Sequence, residues 1–280
     1  MPEGDTIHRT AAALRRALVG RRLRRVTLPR IAPPHPTTGA VVHRVDARGK
    51  HLLIHTDDGL TLHTHQRMTG SWHLYAPGER WRKPSRAARV VLAAADVTAV
   101  CFHSPVVEVL DAEGLRRHPT LRRLGPDLCD RTRDLDEAVD RAVSRLGDLA
   151  AESPTVGEVL LDQRIACGIG NIYRSEVLFL HGIAPRTDAG DLDTDTWRAL
   201  LTTSARLLRA NLGTTARTTV PGAPAGSLWV YGRANAACRR CAATIVSQHL
   251  GDHARVVFHC PACQPETRRA MPRPSPVPNG

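Results

Sequence analysis

The chain has 280 residues, 42% of them hydrophobic and 24% charged, which is room for two domains with a sizeable core and needs no disulfides or obligate assembly to rescue a small fold. Lys+Arg number 39 against 27 Asp+Glu, a net charge of +12, so a polyanionic partner is expected, nucleic acid before an anionic membrane. No apolar run reaches the roughly 18–20 residues of a membrane span and no signal peptide opens the chain, so a cytoplasmic protein that avoids the bilayer is expected. Arginine supplies nearly all the positive charge, as in GC-rich genomes; the two lysines, Lys50 and Lys83, therefore stand out.

In chain order, residues 5–18 read as a helix: Ile7, Ala11, Leu14 and Leu18 recur at helical spacing, Asp5 is placed as an N-cap and Gly20 as a stop. Short β-rich runs follow at 24–28, 41–45, 51–56, 60–65, 72–75, 89–94, 98–102 and 106–110, separated by turn signals such as Asp57-Asp58-Gly59 and Pro77-Gly78. That spacing suggests a β-sandwich or barrel. Helical patterns then occupy 115–123, 134–146, 155–164, 171–181 and 194–212. A Gly/Pro/Thr-rich stretch, 213–226, reads as a mobile loop. The fold class is α+β and multidomain: an N-terminal β-rich domain over 1–112, a helical domain over 113–227, a cysteine module over 228–264 and a disordered Pro-rich tail over 265–280.

Four of the seven cysteines read Cys238-x-x-Cys241 and Cys260-x-x-Cys263 with eighteen residues between the pairs. In a reducing compartment this is the pattern of a tetrahedral zinc site, one structural ion closed by four thiolates, on a β-hairpin formed by 244–249 and 255–259. His249, His253 and His259 are bystanders to such a site. Cys101, Cys129 and Cys167 read as small buried residues.

The chain opens Met1-Pro2-Glu3-Gly4. Removal of Met1 would leave Pro2 as a secondary amine, a nucleophile able to form an iminium, with the Glu3 carboxyl beside it to move a proton. A helix start nearby disfavours protonation of that amine. Further on, 160–179 reads as two helices joined through Gly168 and Gly170, with Asn171 opening the second, an arrangement that aims backbone N–H groups at a phosphate.

Pro2-Glu3-Gly4, the 160–179 segment and the four-cysteine finger together resemble the formamidopyrimidine-DNA glycosylase/endonuclease VIII family of base-excision repair, over residues 2–264. The resemblance implies a helix–two-turn–helix DNA-binding domain, a zinc finger and a bacterial, actinobacterial-type member of the endonuclease VIII branch. It implies a bifunctional DNA glycosylase and abasic-site lyase that removes oxidised bases, pyrimidines favoured, through a Schiff base on Pro2, and cleaves the strand by β,δ-elimination. Pro2, Glu3, Lys50 and Arg255 take the catalytic positions, while Arg67, Met68, Thr69, Arg123 and Asn171 take positions that contact DNA. Damaged duplex DNA is the expected partner, with single-stranded DNA a further form, and the protein is expected to act as a monomer. Lys83 matches no family position and reads as solvated; the arginines at 15, 16, 21, 22, 24 and 25 read as a solvated basic face. Gly4 and the lack of an Arg-Phe pair near 105–109 point to endonuclease VIII, whereas Met68 belongs to the purine branch. One departure is Thr6 where the family carries an acidic residue. The competing readings are an 8-oxopurine glycosylase of the same family and a damaged-DNA-binding protein of this fold with impaired catalysis.

Overall fold

The computed structural model describes residues 2–149, 154–251 and 254–266. Helix α1 (Gly4–Leu18) lays Ile7, Ala11, Leu14 and Leu18 against a β-sandwich, as their spacing predicts. Eight strands follow: β1 (Arg25–Thr27), β2 (Val42–Arg48), β3 (His51–Thr56), β4 (Thr61–His65), β5 (Ser71–Tyr75), β6 (Ala88–Ala93), β7 (Thr98–Phe102) and β8 (Val106–Leu110). They form two four-stranded antiparallel sheets, ordered β1-β6-β7-β5 and β2-β3-β4-β8. Alternation decides the faces: Leu52, Ile54 and Leu62 from one sheet meet Val90, Leu92 and Cys101 from the other in a single buried core beneath α1.

The helical half contains α2 (Ala112–Arg117), α3 (Leu135–Val143), α4 (Val156–Val159), α5 (Asn171–His181) and α6 (Thr194–Ala210). The expected helix over 115–123 is broken. Pro119 cannot donate an N–H and pushes His118 to an extended conformation, so α2 ends at Arg117 and only a 3-10 turn, Leu121–Arg123, follows. The expected helix over 155–164 shortens to α4, which opens on a capping box between Thr155 and Glu158. Val139, Val156, Ile165, Tyr173, Val177, Trp197, Leu200 and Leu208 build a second core.

Strands β9 (Val246–Leu250) and β10 (Arg255–His259) form the hairpin of the cysteine module. His249 gives and takes no bond with the cysteines, its Nδ1 lying 2.8 Å from the Ala254 carbonyl, and His253 lies outside the described residues, as does the Pro-rich tail from residue 267 on. Lys83 is half-buried, with Nζ 2.8 Å from Ser71 Oγ and above the Phe102 ring, which corrects the expectation of a solvated side chain. The arginines at 15, 16, 21, 22, 24 and 25 are exposed. Among the described residues no helix is long and apolar enough to cross a membrane.

The two halves meet at a seam with no room for a side chain at Gly4 or Gly49. Gly4 N–H donates to the Gly168 carbonyl at 2.9 Å, and a Cβ on Gly4 would lie 2.6 Å from Cys129 Sγ. Gly49, in the β2–β3 turn at a φ of +58°, would place a Cβ 2.7 Å from Cys167 Cβ. Cys101, Cys129 and Cys167 are buried as expected; the last two fill this seam. Gly49→Ala combines a left-handed backbone with overpacking, and should cost about 2–4 kcal/mol. Urea unfolding checks this, and an unshifted midpoint would mean that the seam yields.

Candidate active site

Glu3 stands at the centre of the seam. It is the N-cap residue of α1, yet its side chain serves a different helix. The carboxylate accepts from the backbone N–H of Gly170 at 2.9 Å, Ile172 at 2.8 Å and Tyr173 at 3.5 Å, all at the N-terminus of α5. Gly170 is obligatory here, because a Cβ would fall 2.3 Å from Glu3 Cδ. The expectation that these N–H groups face a phosphate is therefore overturned: the protein's own carboxylate takes them. Asn171 does open α5, and its buried Oδ1, an acceptor, has no hydrogen-bond partner among the described residues. Burial, the dominant influence, pushes the Glu3 carboxyl above its ordinary value, against the charges of Lys50 and Arg217 and the Ile172 N–H. Pro2, one residue away, is half-buried.

Lys50 sits in the β2–β3 turn. Asp127 fixes that turn by accepting from the Gly49 N–H at 2.6 Å, while it also holds His8 Nε2 at 2.8 Å and the Cys129 N–H at 2.9 Å. Burial holds the Lys50 ammonium down to about 8, with the nearby Glu3 charge pulling it up and Arg255 pushing it further down. Arg255 lies at the start of β10, close enough for its charge to act on Lys50. Arg255 is exposed at the start of that strand, and its position is fixed from behind by Arg174, whose fully buried guanidinium donates to the Val256 carbonyl at 3.0 Å and the Arg255 carbonyl at 3.4 Å.

Asp5 is not an N-cap. Its carboxylate is fully buried and takes the guanidinium of Arg217 through two oxygens, at 2.5 and 2.6 Å, together with the Tyr173 hydroxyl at 3.0 Å. Arg217 also donates to Thr6 Oγ1 at 2.5 Å. Position 5 thus carries a buried carboxylate, matched by an arginine from the 213–226 stretch. That stretch has no helix or strand, as expected, but it is pinned: Thr218 N–H donates to Asn211 Oδ1 at 2.9 Å, and the Thr219 hydroxyl bonds to the buried Glu176 carboxylate. Glu176 also accepts the N–H groups of Trp229, Val230 and Tyr231, at 2.7–2.9 Å.

The loop after β4 presents Arg67, in a left-handed conformation, and Met68, which is 65% exposed; Thr69 Oγ1 donates to the His103 carbonyl at 3.1 Å. Arg123 is exposed on the 3-10 turn Leu121–Arg123, outside the hydrogen-bonded group around Glu3. In the cysteine module, the sulfurs of Cys238, Cys241, Cys260 and Cys263 all lie within 4.8 Å of one another, with Cys241–Cys260 at 3.5 Å and Cys238–Cys263 at 3.9 Å. The edges of a zinc tetrathiolate with bonds of about 2.3 Å measure about 3.8 Å, so the four donors fit a tetrahedral metal.

The family profile of the formamidopyrimidine-DNA glycosylase N-terminal domain matches residues 1–105, and that of the family's H2TH domain matches 125–220. A protein of Streptomyces coelicolor named "Probable endonuclease 8 2" is 41% identical over 99% of this chain and 96% of its own. The chain belongs to the formamidopyrimidine-DNA glycosylase/endonuclease VIII family. A Mycolicibacterium smegmatis relative named DNA-(apurinic or apyrimidinic site) lyase Nei2 is 38% identical over 94% of this chain and 99% of its own. The Lactococcus lactis formamidopyrimidine-DNA glycosylase, solved with abasic-site DNA, shares the fold at a TM-score of 0.79 and 22% identity, covering 95% of this chain and 100% of that one. Within this family fold, Asp127, Arg174, Glu176 and Arg217 are the polar residues that sequence reasoning missed.

Because Asp5 and Arg217 are both largely withdrawn from water, removing either one strands the other's charge. Asp5→Ala and Arg217→Ala should each cost about 3 kcal/mol, and the double variant should lose less than their sum by about 1–3 kcal/mol. A double-mutant cycle in urea tests this; additive losses would show that the two are not coupled.

Proposed function

We propose that this protein is a bifunctional DNA glycosylase and abasic-site lyase of base-excision repair, with Pro2 as nucleophile once Met1 is removed. The observation that carries the reading is the Glu3 carboxyl, joined directly to Pro2 and held at the seam by the Gly170 and Ile172 N–H groups, with the charge of buried Lys50 acting on it. A flipped, damaged nucleotide brings its C1′ to the Pro2 amine. Nitrogen attacks C1′; the base leaves; the sugar ring opens as Glu3, whose hold on a proton burial strengthens, supplies the proton to the ring oxygen. The resulting iminium acidifies the C2′ proton, and its removal expels the 3′ phosphate, followed by the 5′ phosphate in δ-elimination.

Lys50, charged below about 8, and Arg255 hold the flanking phosphates. Arg67, Met68 and Thr69 fill the gap in the stack, while Arg123 and the Asn171 amide grip the backbone. Segments 1–112, 113–227 and 228–264 act as catalytic, helix–two-turn–helix and finger units. Cys238, Cys241, Cys260 and Cys263 hold one structural Zn2+, which supplies the cross-link that keeps β9 and β10, and so Arg255, in place. The enzyme works in the cytoplasm on the nucleoid, as a monomer, on duplex and single-stranded DNA. Oxidised pyrimidines are preferred; exposed Met68 favours the alternative, an 8-oxopurine preference, and single-turnover excision of dihydrouracil against 8-oxoguanine separates the two.

Borohydride trapping on abasic-site DNA, followed by peptide mass spectrometry, tests the reading. The adduct should sit on Pro2; Pro2→Gly should lose at least about a hundredfold in lyase rate, and Glu3→Gln should lose base excision more than cleavage of a pre-formed abasic site. An adduct on Lys50 would overturn the assignment. Stripping the metal should unfold the β9–β10 hairpin and weaken DNA binding without removing the Pro2 amine; full cleavage by verified metal-free protein would contradict the role given to the finger.

A further inference from the structure

The outward face of the β2-β3-β4-β8 sheet carries a row of histidines that the reaction above does not use. Antiparallel register sets His63 opposite both Leu53 and Glu108, which puts His51 diagonal to His63 on the same face. His51 Nδ1 lies 2.9 Å from His63 Nε2, His63 Nδ1 lies 2.7 Å from Glu108 Oε2, and the same oxygen lies 3.0 Å from His118 Nε2. The inner end of the row is at the active site: His51 follows Lys50 directly, and its ring packs edge-on against His65 at 4.6 Å, itself within the field of Lys50 and Arg67. The outer end is the half-exposed carboxylate of Glu108.

The hydrogens in this row have one consistent assignment. His118 Nδ1 accepts from the backbone N–H of Thr120 at 3.2 Å and Leu121 at 3.1 Å, so its proton is on Nε2, donated to Glu108. The Glu108 carboxylate can only accept, so His63 donates through Nδ1 and offers a lone pair at Nε2. His51 then donates through Nδ1 and is left with a lone pair at Nε2. Burial holds His51 down to about 2 and lowers His63, so both rings are neutral and each carries one N–H and one lone pair. His63, Glu108 and His118 also have the make-up of a metal site, with donor atoms within 4.8 Å. Coordination at His118 Nε2 would force a proton onto Nδ1, where two backbone N–H groups already point, so the hydrogen-bonded chain is the arrangement this structure supports.

We propose that His51, His63 and Glu108 form a proton relay from the floor of the active site beside Lys50 to solvent, discharging the proton released during strand-cleaving elimination. This rests on the lyase reading above. A water on the floor of the site takes the C2′ proton and passes one proton to His51 Nε2, where an N–H bond forms as the Nδ1–H bond breaks. That proton passes to His63 Nε2, the His63 Nδ1–H proton passes to Glu108, and Glu108 releases it to water. Each ring gains and loses one proton and ends neutral in its other tautomer. His118 is a positioning residue that holds the terminal carboxylate. Arg48, Lys50 and Arg67 surround the inner end and disfavour leaving a positive charge there.

The test uses zinc-loaded, full-length protein, abasic-site duplex and dilute, weakly basic buffer, comparing the wild type with His63→Gln and Glu108→Gln. Borohydride-trapped adduct should form at the wild-type rate within about twofold, while strand scission slows by about a hundredfold, the low end for a positioned acid–base group. Added imidazole should restore scission, and the melting temperature of Glu108→Gln should stay near that of the wild type. Scission at the wild-type rate in both variants, a loss that imidazole does not rescue, or an equal fall in adduct formation would each overturn the relay. Absence of adduct in the wild type would instead refute the lyase reading itself.

Discussion

One carboxylate, that of Glu3, sets the geometry on which the rest depends. Three N–H groups at the start of α5 converge on it, so the first residues of the chain are held against a helix more than 160 positions away. The contact faces the positive end of α5, where unpaired backbone N–H groups suit carboxyl oxygens. It constrains backbone on both sides: Gly170 and Gly4 cannot carry a Cβ without collision, and Pro2 is placed at the seam by its peptide link to Glu3.

Helix α5 is the hub that extends this constraint. It is buried nearly all round, and its polar residues each hold a different segment. Tyr173 meets Asp5; Arg174 holds the backbone of β10; Ser175 Oγ accepts the Phe258 N–H at 3.3 Å; Glu176 gathers 229–231 and Thr219. A buried charge is costly unless it is hydrogen-bonded; Arg174 and Glu176 offset that cost by binding the main chain of a neighbour, while the Nε of Arg174 stays without a partner among the described residues. Arg255, the 213–226 stretch and, through Glu3, Pro2 are thereby referred to a single helix.

Much of this was legible in the sequence. The apolar period of 5–18, the eight β-rich runs and the paired C-x-x-C motifs each report a local requirement, and local requirements survive in a linear pattern. Helix lengths were less legible where Pro119 and the capping box at Thr155 cut them short. The polar interior was opaque: Arg174 and Glu176 look like ordinary solvated residues of a helix, and only an α5 apolar on every other face hints that they are buried. Asp5 looks like a cap because caps use the same residue type; its real partner, Arg217, lies 212 positions away. Similarly, Gly168 and Gly170 read as a phosphate cradle because backbone N–H groups suit any anion, and nothing local says that the anion is Glu3.

The central electrostatic claim is a contest within one group. Backbone N–H donors and nearby cations favour the Glu3 carboxylate, while removal from water disfavours it, and burial wins. A carboxyl whose hold on a proton is strengthened by burial can tether α5 through its oxygens and is more available as a proton donor than an ordinary exposed one. The most direct measurement is a carbon-13 NMR titration of the Glu3 carboxyl in the mature, zinc-loaded protein without DNA, with Glu3→Gln to assign the resonance. The account predicts a midpoint above the ordinary 4.5; a midpoint at or below that value would mean that the helix terminus and the cations prevail, and that another group must supply the proton.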